Sequence, residues 1–210
     1  MKLALFSQNL TKAHKQKLAS FFSKPLSEVK FLYINTPGNY KPYKSEWMIR
    51  GEQRWQNVFP KFQEFDLERA LKVDVNFNFN DFLSSYDFIF VSGGSTYVLS
   101  YWMQETGSRE ILKDLIVRDK IIYGGESAGA IYTYKEIDTY KELDHPERAP
   151  EEVNEGLGVI DFAPIPHWQN EEFHAGLEHI RNKFESKGVK TYTITDDQSL
   201  FVENDNIITI

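Results

Sequence analysis

Residues 124–130 read Gly-Gly-Glu-Ser-Ala-Gly-Ala and follow the short apolar run Ile121-Ile122-Tyr123. Gly125-Glu126-Ser127-Ala128-Gly129 has the G-x-S-x-G form of a nucleophile elbow, a sharp strand-to-helix turn that lifts a serine hydroxyl clear of a sheet edge. The small residues around Ser127 suit a strained turn that leaves room for a substrate. That pattern implies serine hydrolase chemistry, with the amide of Ala128 supplying one oxyanion donor. A second pair, Gly93-Gly94, follows the apolar run Phe88 to Val91 and is placed to aim further amides at a ligand.

A serine hydroxyl is a weak nucleophile until a base takes its proton, so Ser127 needs a histidine. Of the five present, His14 lies in a Lys-rich helical stretch and His145 in a polar loop. His174 and His179 flank the apolar stripe of a helix and stand about 140° apart around its axis, which excludes a metal pair. His167 follows the extended run Val159 to Pro166 and precedes a helix, a strand-end position where α/β sheets place their sites. The base in turn needs an acceptor. Asp196 and Asp197 close the run Val189 to Ile194, with Glu126 and Asp138 as competitors. No dinucleotide fingerprint or phosphate-loop lysine pattern occurs, and neither a metal site nor a cofactor is expected.

The elements that must position these groups alternate. Strands are expected at Leu3–Phe6, Val29–Ile34, Val73–Phe77, Phe88–Val91 and Ile121–Tyr123. Three more are expected at Val189–Ile194, Leu200–Val202 and Ile207–Ile210, the last two as a hairpin across Glu203 to Asn206. Near-continuous apolar runs suit strands buried on both faces of a parallel sheet. Helices are expected after Thr96 as N-cap, with Val98, Leu99, Trp102 and Met103 on one face, and after Ser108, with Ile111, Leu112, Leu115 and Ile116. A further helix opens at Asn170 with the stripe Phe173, Leu177, Ile180 and Phe184. Residues 36–66 read as a loop followed by helical pieces, and 135–156 as a long polar surface loop beside the nucleophile. Alternating strands and helices imply an α/β fold with a mainly parallel sheet.

The chain has 210 residues, 41% hydrophobic and 15% aromatic, enough for one sizeable core, and a single domain over 1–210 is expected. A net charge of −7 argues against nucleic acid or an anionic membrane as partner. With no cysteine there is no disulfide and no thiol nucleophile. The N-terminal stretch reads as a buried strand and no run approaches a membrane span, so a cytoplasmic protein is expected.

Together, Val91 to Tyr97, Gly125 to Ala130 and Pro166-His167-Trp168 resemble the aspartyl dipeptidase (peptidase E) and cyanophycinase family of serine peptidases, in motif order and spacing from about residue 85 onward. The resemblance implies a three-layer α/β sandwich, flavodoxin-like or class I glutamine-amidotransferase-like. It implies Ser127 as nucleophile and His167 as base, with the acid falling best on Asp196 or else near Asp138 or Asp144 in the loop after the nucleophile, and Gly93, Gly94 and Ala128 at the oxyanion. It further implies small peptide substrates, among them dipeptides with N-terminal Asp. By analogy the fold admits a homodimer. No Asp-binding basic residue is recognisable; Arg148 and Arg181 are nearest in sequence. An esterase and a non-catalytic protein on the same fold are the alternative readings, the latter because Glu126 sets a carboxylate beside the nucleophile.

Overall fold

The computed structural model describes residues 1–210. The first half runs β1 (Lys2–Phe6), α1 (Lys12–Ala19), β2 (Phe31–Ile34), α2 (Glu46–Gln56), β3 (Phe62–Phe65), α3 (Leu67–Val73), α4 (Phe79–Ser84), β4 (Phe88–Val91) and α5 (Thr96–Glu105). It continues through α6 (Ser108–Val117), β5 (Ile122–Glu126), α7 (Ala128–Ile131), β6 (Ala163–Ile165), α8 (His174–Ser186), β7 (Thr191–Thr193), β8 (Ser199–Glu203) and β9 (Asn206–Thr209).

A seven-stranded sheet has the order β3-β2-β4-β5-β1-β8-β9. Strands β1 to β5 run parallel, and the β8–β9 hairpin adds two antiparallel strands beside β1. Strands β6 and β7 form a separate parallel pair. The expected α/β sandwich with a mainly parallel sheet is the architecture found. No helix is long and apolar enough to cross a membrane.

Because side chains alternate along each strand, the sheet presents two different faces. One packs Phe6, Phe31, Tyr33, Phe88, Phe90 and Phe201 against Leu18 of α1 and Trp55 of α2. The other packs mainly aliphatic side chains such as Leu5, Leu32, Ile34 and Val91 against α3 to α8. Parity along β5 sets Gly124 and Glu126 on the aromatic face and Tyr123 and Gly125 on the aliphatic one. A Cβ at Gly124 would lie 2.5 Å from the Phe90 ring.

Several expected boundaries move. Val73–Phe77 is not a strand: Val73 ends α3, and Val73 and Val75 are exposed. The edge strand is instead Phe62–Phe65, whose two central residues face solvent, so it lacks the continuous apolar run of an inner strand. Ser95, not Thr96, caps α5, accepting from the Val98 amide at 3.3 Å. Gly107 in a left-handed conformation precedes α6, so Ser108 is its first residue and not its cap. Helix α8 starts only at His174; Asn170 Oδ1 instead accepts from the Glu172 amide at 3.0 Å in a separate turn, while its Nδ2 goes to Asp196. Segment 135–156 is polar in composition, yet Ile137, Tyr140, Asp144 and Val153 are buried, so it is anchored to the core and is not a surface loop throughout.

Candidate active site

Parallel strands end together at one edge of the sheet, and the turns that leave them meet there. Ser7 leaves β1, Ser92-Gly93-Gly94 leave β4 and Ser127 leaves β5. Ser127 adopts φ 50°, ψ −106°, a conformation that costs a non-glycine residue on the order of 1–3 kcal/mol. Its amide donates to the Phe6 carbonyl at 3.0 Å, and the Tyr123 hydroxyl donates to the Gly129 carbonyl at 2.7 Å. The two glycines of the motif follow from close packing. A Cβ at Gly125 would lie 2.3 Å from the Gly129 carbonyl, and one at Gly129 would lie 2.3 Å from the Val91 carbonyl oxygen. Strand and helix therefore touch backbone to backbone across the turn.

His167 has φ 60° and sits two residues beyond β6. Its Nε2 lies 2.8 Å from Ser127 Oγ and its Nδ1 lies 2.7 Å from Asp196 Oδ1. With Nδ1–H donating to the carboxylate, Nε2 is left as the acceptor that a serine proton requires. Asp196 follows β7, and its other oxygen accepts from Asn170 Nδ2 at 2.9 Å. Ser7, fully buried, joins the set: its hydroxyl donates to Asp196 Oδ1 at 3.1 Å and accepts from the His167 amide at 2.7 Å. The hydrogen bond from His167, with those from Asn170 and Ser7, holds the Asp196 carboxyl down at about 2 against the opposing effect of burial. It is ionised throughout the neutral range.

The competing acids go elsewhere. Asp197 accepts from Asn9 Nδ2 at 2.9 Å. Asp138 pairs with Lys141 on the surface. Asp144, buried, accepts from the Thr96 amide at the start of α5 and from Arg148 Nη1 at 3.1 Å, which ties segment 135–156 to the helix behind Gly93-Gly94. Glu126 receives Arg54 Nη2 at 2.5 Å from α2. Burial pushes its carboxyl above the usual range, and the Arg54 guanidinium pulls it back.

Gly93 lies against the nucleophile: a Cβ there would be 3.4 Å from Ser127 Cβ. Gly94 has φ 139°, and a side chain on it would run into the Pro37 carbonyl oxygen at 2.3 Å. Ala128 is the first residue of α7, and such an amide has no carbonyl within its own helix to bond. Arg148 stacks on Tyr40 and Arg181 on Trp168, so neither sequence-near arginine contacts the elbow. Ser7, Asn170 in its bonded role and Arg54 are the residues that sequence reasoning missed. The strand-end position of Ser7 was the available signal. Arg54 lies 72 positions from its partner and offers none. A cleft of about 730 Å³ lies at the β3 edge, lined among others by Asn35, Lys41, Glu64 and Arg69, and does not include Ser127.

Residues 7–210 match the model of Peptidase family S51. The chain belongs to that family. Among its relatives, the uncharacterized peptidase Lin0382 of Listeria innocua is 31% identical over 60% of each chain. The uncharacterized peptidase PM1590 of Pasteurella multocida is 30% identical over 69% of this chain and 68% of its own. The matched stretch spans about three fifths of the length of the Listeria relatives. A solved structure of a candidate peptidase E protein from Listeria monocytogenes EGD-e superposes with TM-score 0.81 at 24% identity, covering 100% of this chain and 97% of that one. A peptidase from an acI-B1 actinobacterium superposes at 0.61 and 15% identity, covering 100% and 86%. These two likenesses show that the fold is shared with solved structures.

Proposed function

We propose that this S51 member is a serine peptidase that hydrolyses small peptides, first among them dipeptides with N-terminal Asp, through an acyl-enzyme. One observation carries the reading: the unbroken chain from Ser127 Oγ to His167 Nε2 at 2.8 Å and from His167 Nδ1 to Asp196 at 2.7 Å. Ser127 attacks the scissile carbonyl while His167 takes its proton, and the ionised Asp196 stabilises the imidazolium. His167 then protonates the leaving amine, the C–N bond breaks, and water repeats the sequence on the ester, returning the proton to Ser127. Amides of Ala128 and the Gly93-Gly94 turn face the carbonyl oxygen as it becomes an anion; a single such donor is worth about 2.7–4 kcal/mol of barrier.

The carboxylate of Glu126 would oppose that anion if it stood alone, but Arg54 is paired to it. A guanidinium has five N–H donors and Glu126 occupies one of them. Its Nε–H is buried without a partner, and the other N–H groups offer an acidic substrate side chain the basic partner that Arg148 and Arg181 do not provide. A panel of Asp-X, Glu-X and neutral dipeptides, run on wild type and Ser127→Ala, tests the reading. Turnover of Asp-X by wild type, absent from the variant, is expected. Equal turnover by both proteins, or no modification of folded wild type at Ser127 by a fluorophosphonate, overturns it.

A further inference from the structure

Glu126 occupies the variable position of G-x-S-x-G, directly before the nucleophile, and the residue is only 8% exposed. Its two oxygens are treated differently. Oε2 takes the Arg54 hydrogen bond, and the nearby Trp55 indole N–H, itself without a partner in hydrogen-bond geometry, favours the ionised carboxylate; no hydrogen bond is formed to Oε1. The Glu126 side chain keeps 11% of its surface open, so a carboxylate oxygen without a protein donor is left to water or to a bound cation. The position of Oε1 supplies the rest. A Cβ built on Gly93 would lie 3.4 Å from Ser127 Cβ and 3.8 Å from Glu126 Oε1, so the unpartnered oxygen and the nucleophile border the same small space above Gly93.

In a peptide whose first residue carries the scissile carbonyl, the α-nitrogen stands about 2.5 Å from the carbonyl carbon, by standard backbone dimensions. A substrate with its carbonyl oxygen directed at the Gly93 and Ala128 amides therefore brings that nitrogen close to the space bordered by Oε1. Resting on the serine-peptidase reading above, we infer that Glu126 Oε1 binds the free α-ammonium of the substrate's first residue and so restricts cleavage to the bond after an unblocked N-terminal residue. Arg54 has a part in this arrangement. Its bond to Oε2 holds the carboxylate on the aromatic face and offsets the charge that would otherwise repel the developing oxyanion. Binding the ammonium completes that neutralisation only when the right substrate is present.

The test measures kcat/KM of wild type, Glu126→Gln and Glu126→Asp on three substrates: Asp-Leu, N-acetyl-Asp-Leu and p-nitrophenyl acetate, which has no amine. Fluorophosphonate labelling of Ser127 runs in parallel. Losing a charge-assisted hydrogen bond costs on the order of 10- to 100-fold. Wild type is expected to prefer Asp-Leu over its acetylated form by at least that factor. Glu126→Gln should lose that much on Asp-Leu and far less on N-acetyl-Asp-Leu and the ester, so that the preference for a free amine collapses. Glu126→Asp, which keeps the charge but draws it back, should fall between. Equal losses on peptide and ester would assign Glu126 a merely structural role and overturn the inference, as would wild type that ignores acetylation while Ser127 still labels. Failure of Ser127 to label removes the serine-peptidase reading itself, and the inference with it.

Discussion

The two faces of the central sheet are built from different side chains and contribute different parts of the site. On the aliphatic face, Ile165 and Ile194 are buried beside the two turns that carry His167 and Asp196, and Gly125 packs against α7. On the aromatic face, Trp55 lies 4.2 Å from Phe90 between ring centroids, with Phe31 and Phe59 stacked 4.5 Å apart beside it. That block fixes α2, and α2 delivers Arg54 to Glu126. The groups proposed to move protons thus hang from one layer, and the charged pair proposed to select substrate hangs from the other. They meet only at the turn around Ser127. Catalysis and selection can then be damaged separately.

The largest effect should come from the aliphatic side. His167→Ala is expected to lower kcat on the order of 10⁶-fold with a melting temperature close to wild type, and Asp196→Asn about 10⁴-fold by supporting the wrong tautomer. A loss below tenfold in either variant, in steady-state assays with Asp-X peptides, would break the assignment of chemistry to that face. Trp55→Ala on the aromatic side should act in the opposite sense. Emptying a fully buried indole site costs about 3–5 kcal/mol. For a chain of this size that corresponds to a fall of roughly 10 °C in calorimetry. At temperatures where it remains folded, KM should rise more than kcat falls, because Arg54 loses its support.

Gly129→Ala probes the seam between the layers. Its Cβ would meet the Val91 carbonyl, so about 1–3 kcal/mol of stability and part of kcat should go together. Unchanged calorimetry and activity would mean that the elbow does not couple the two faces. The smallest effect concerns pH. Asp196 is held at about 2 in the folded state, below its unfolded value near 3.9. Its contribution to stability is fully present above about pH 4 and is lost as pH falls toward 2. Asp196→Asn should flatten that part of the stability-versus-pH curve, as read by urea unfolding at a series of acidic pH values. Glu126→Gln should leave it in place.

How much of this was legible in the chain differs residue by residue. Ser127 with its glycines announces itself because an elbow is local: strand, turn and helix are consecutive, and steric demands at Gly125 and Gly129 arise from residues no more than a few tens of positions away. Phe88–Val91 reads correctly as an inner strand because it is buried on both faces. Val73–Phe77 misleads because its β-branched and aromatic residues, in one dimension, resemble a strand, while Phe62–Phe65 is concealed by the polar residues an edge strand exposes. Asp196 stood above Asp138 by its place at a strand end, but only resemblance separated it from Asp197, since both close the same run.

Alone, the sequence determined what is set by neighbouring residues: the alternation of strands and helices, the elbow, and the short set of groups able to act as base and acid. Tertiary structure decided the pairings. Ser7 bonds His167 across 160 positions and Arg54 bonds Glu126 across 72. Which groups come together at the ends of parallel strands depends on strand order and on how the helices cover each face. Those are set by burial of the whole core, and no local pattern encodes them.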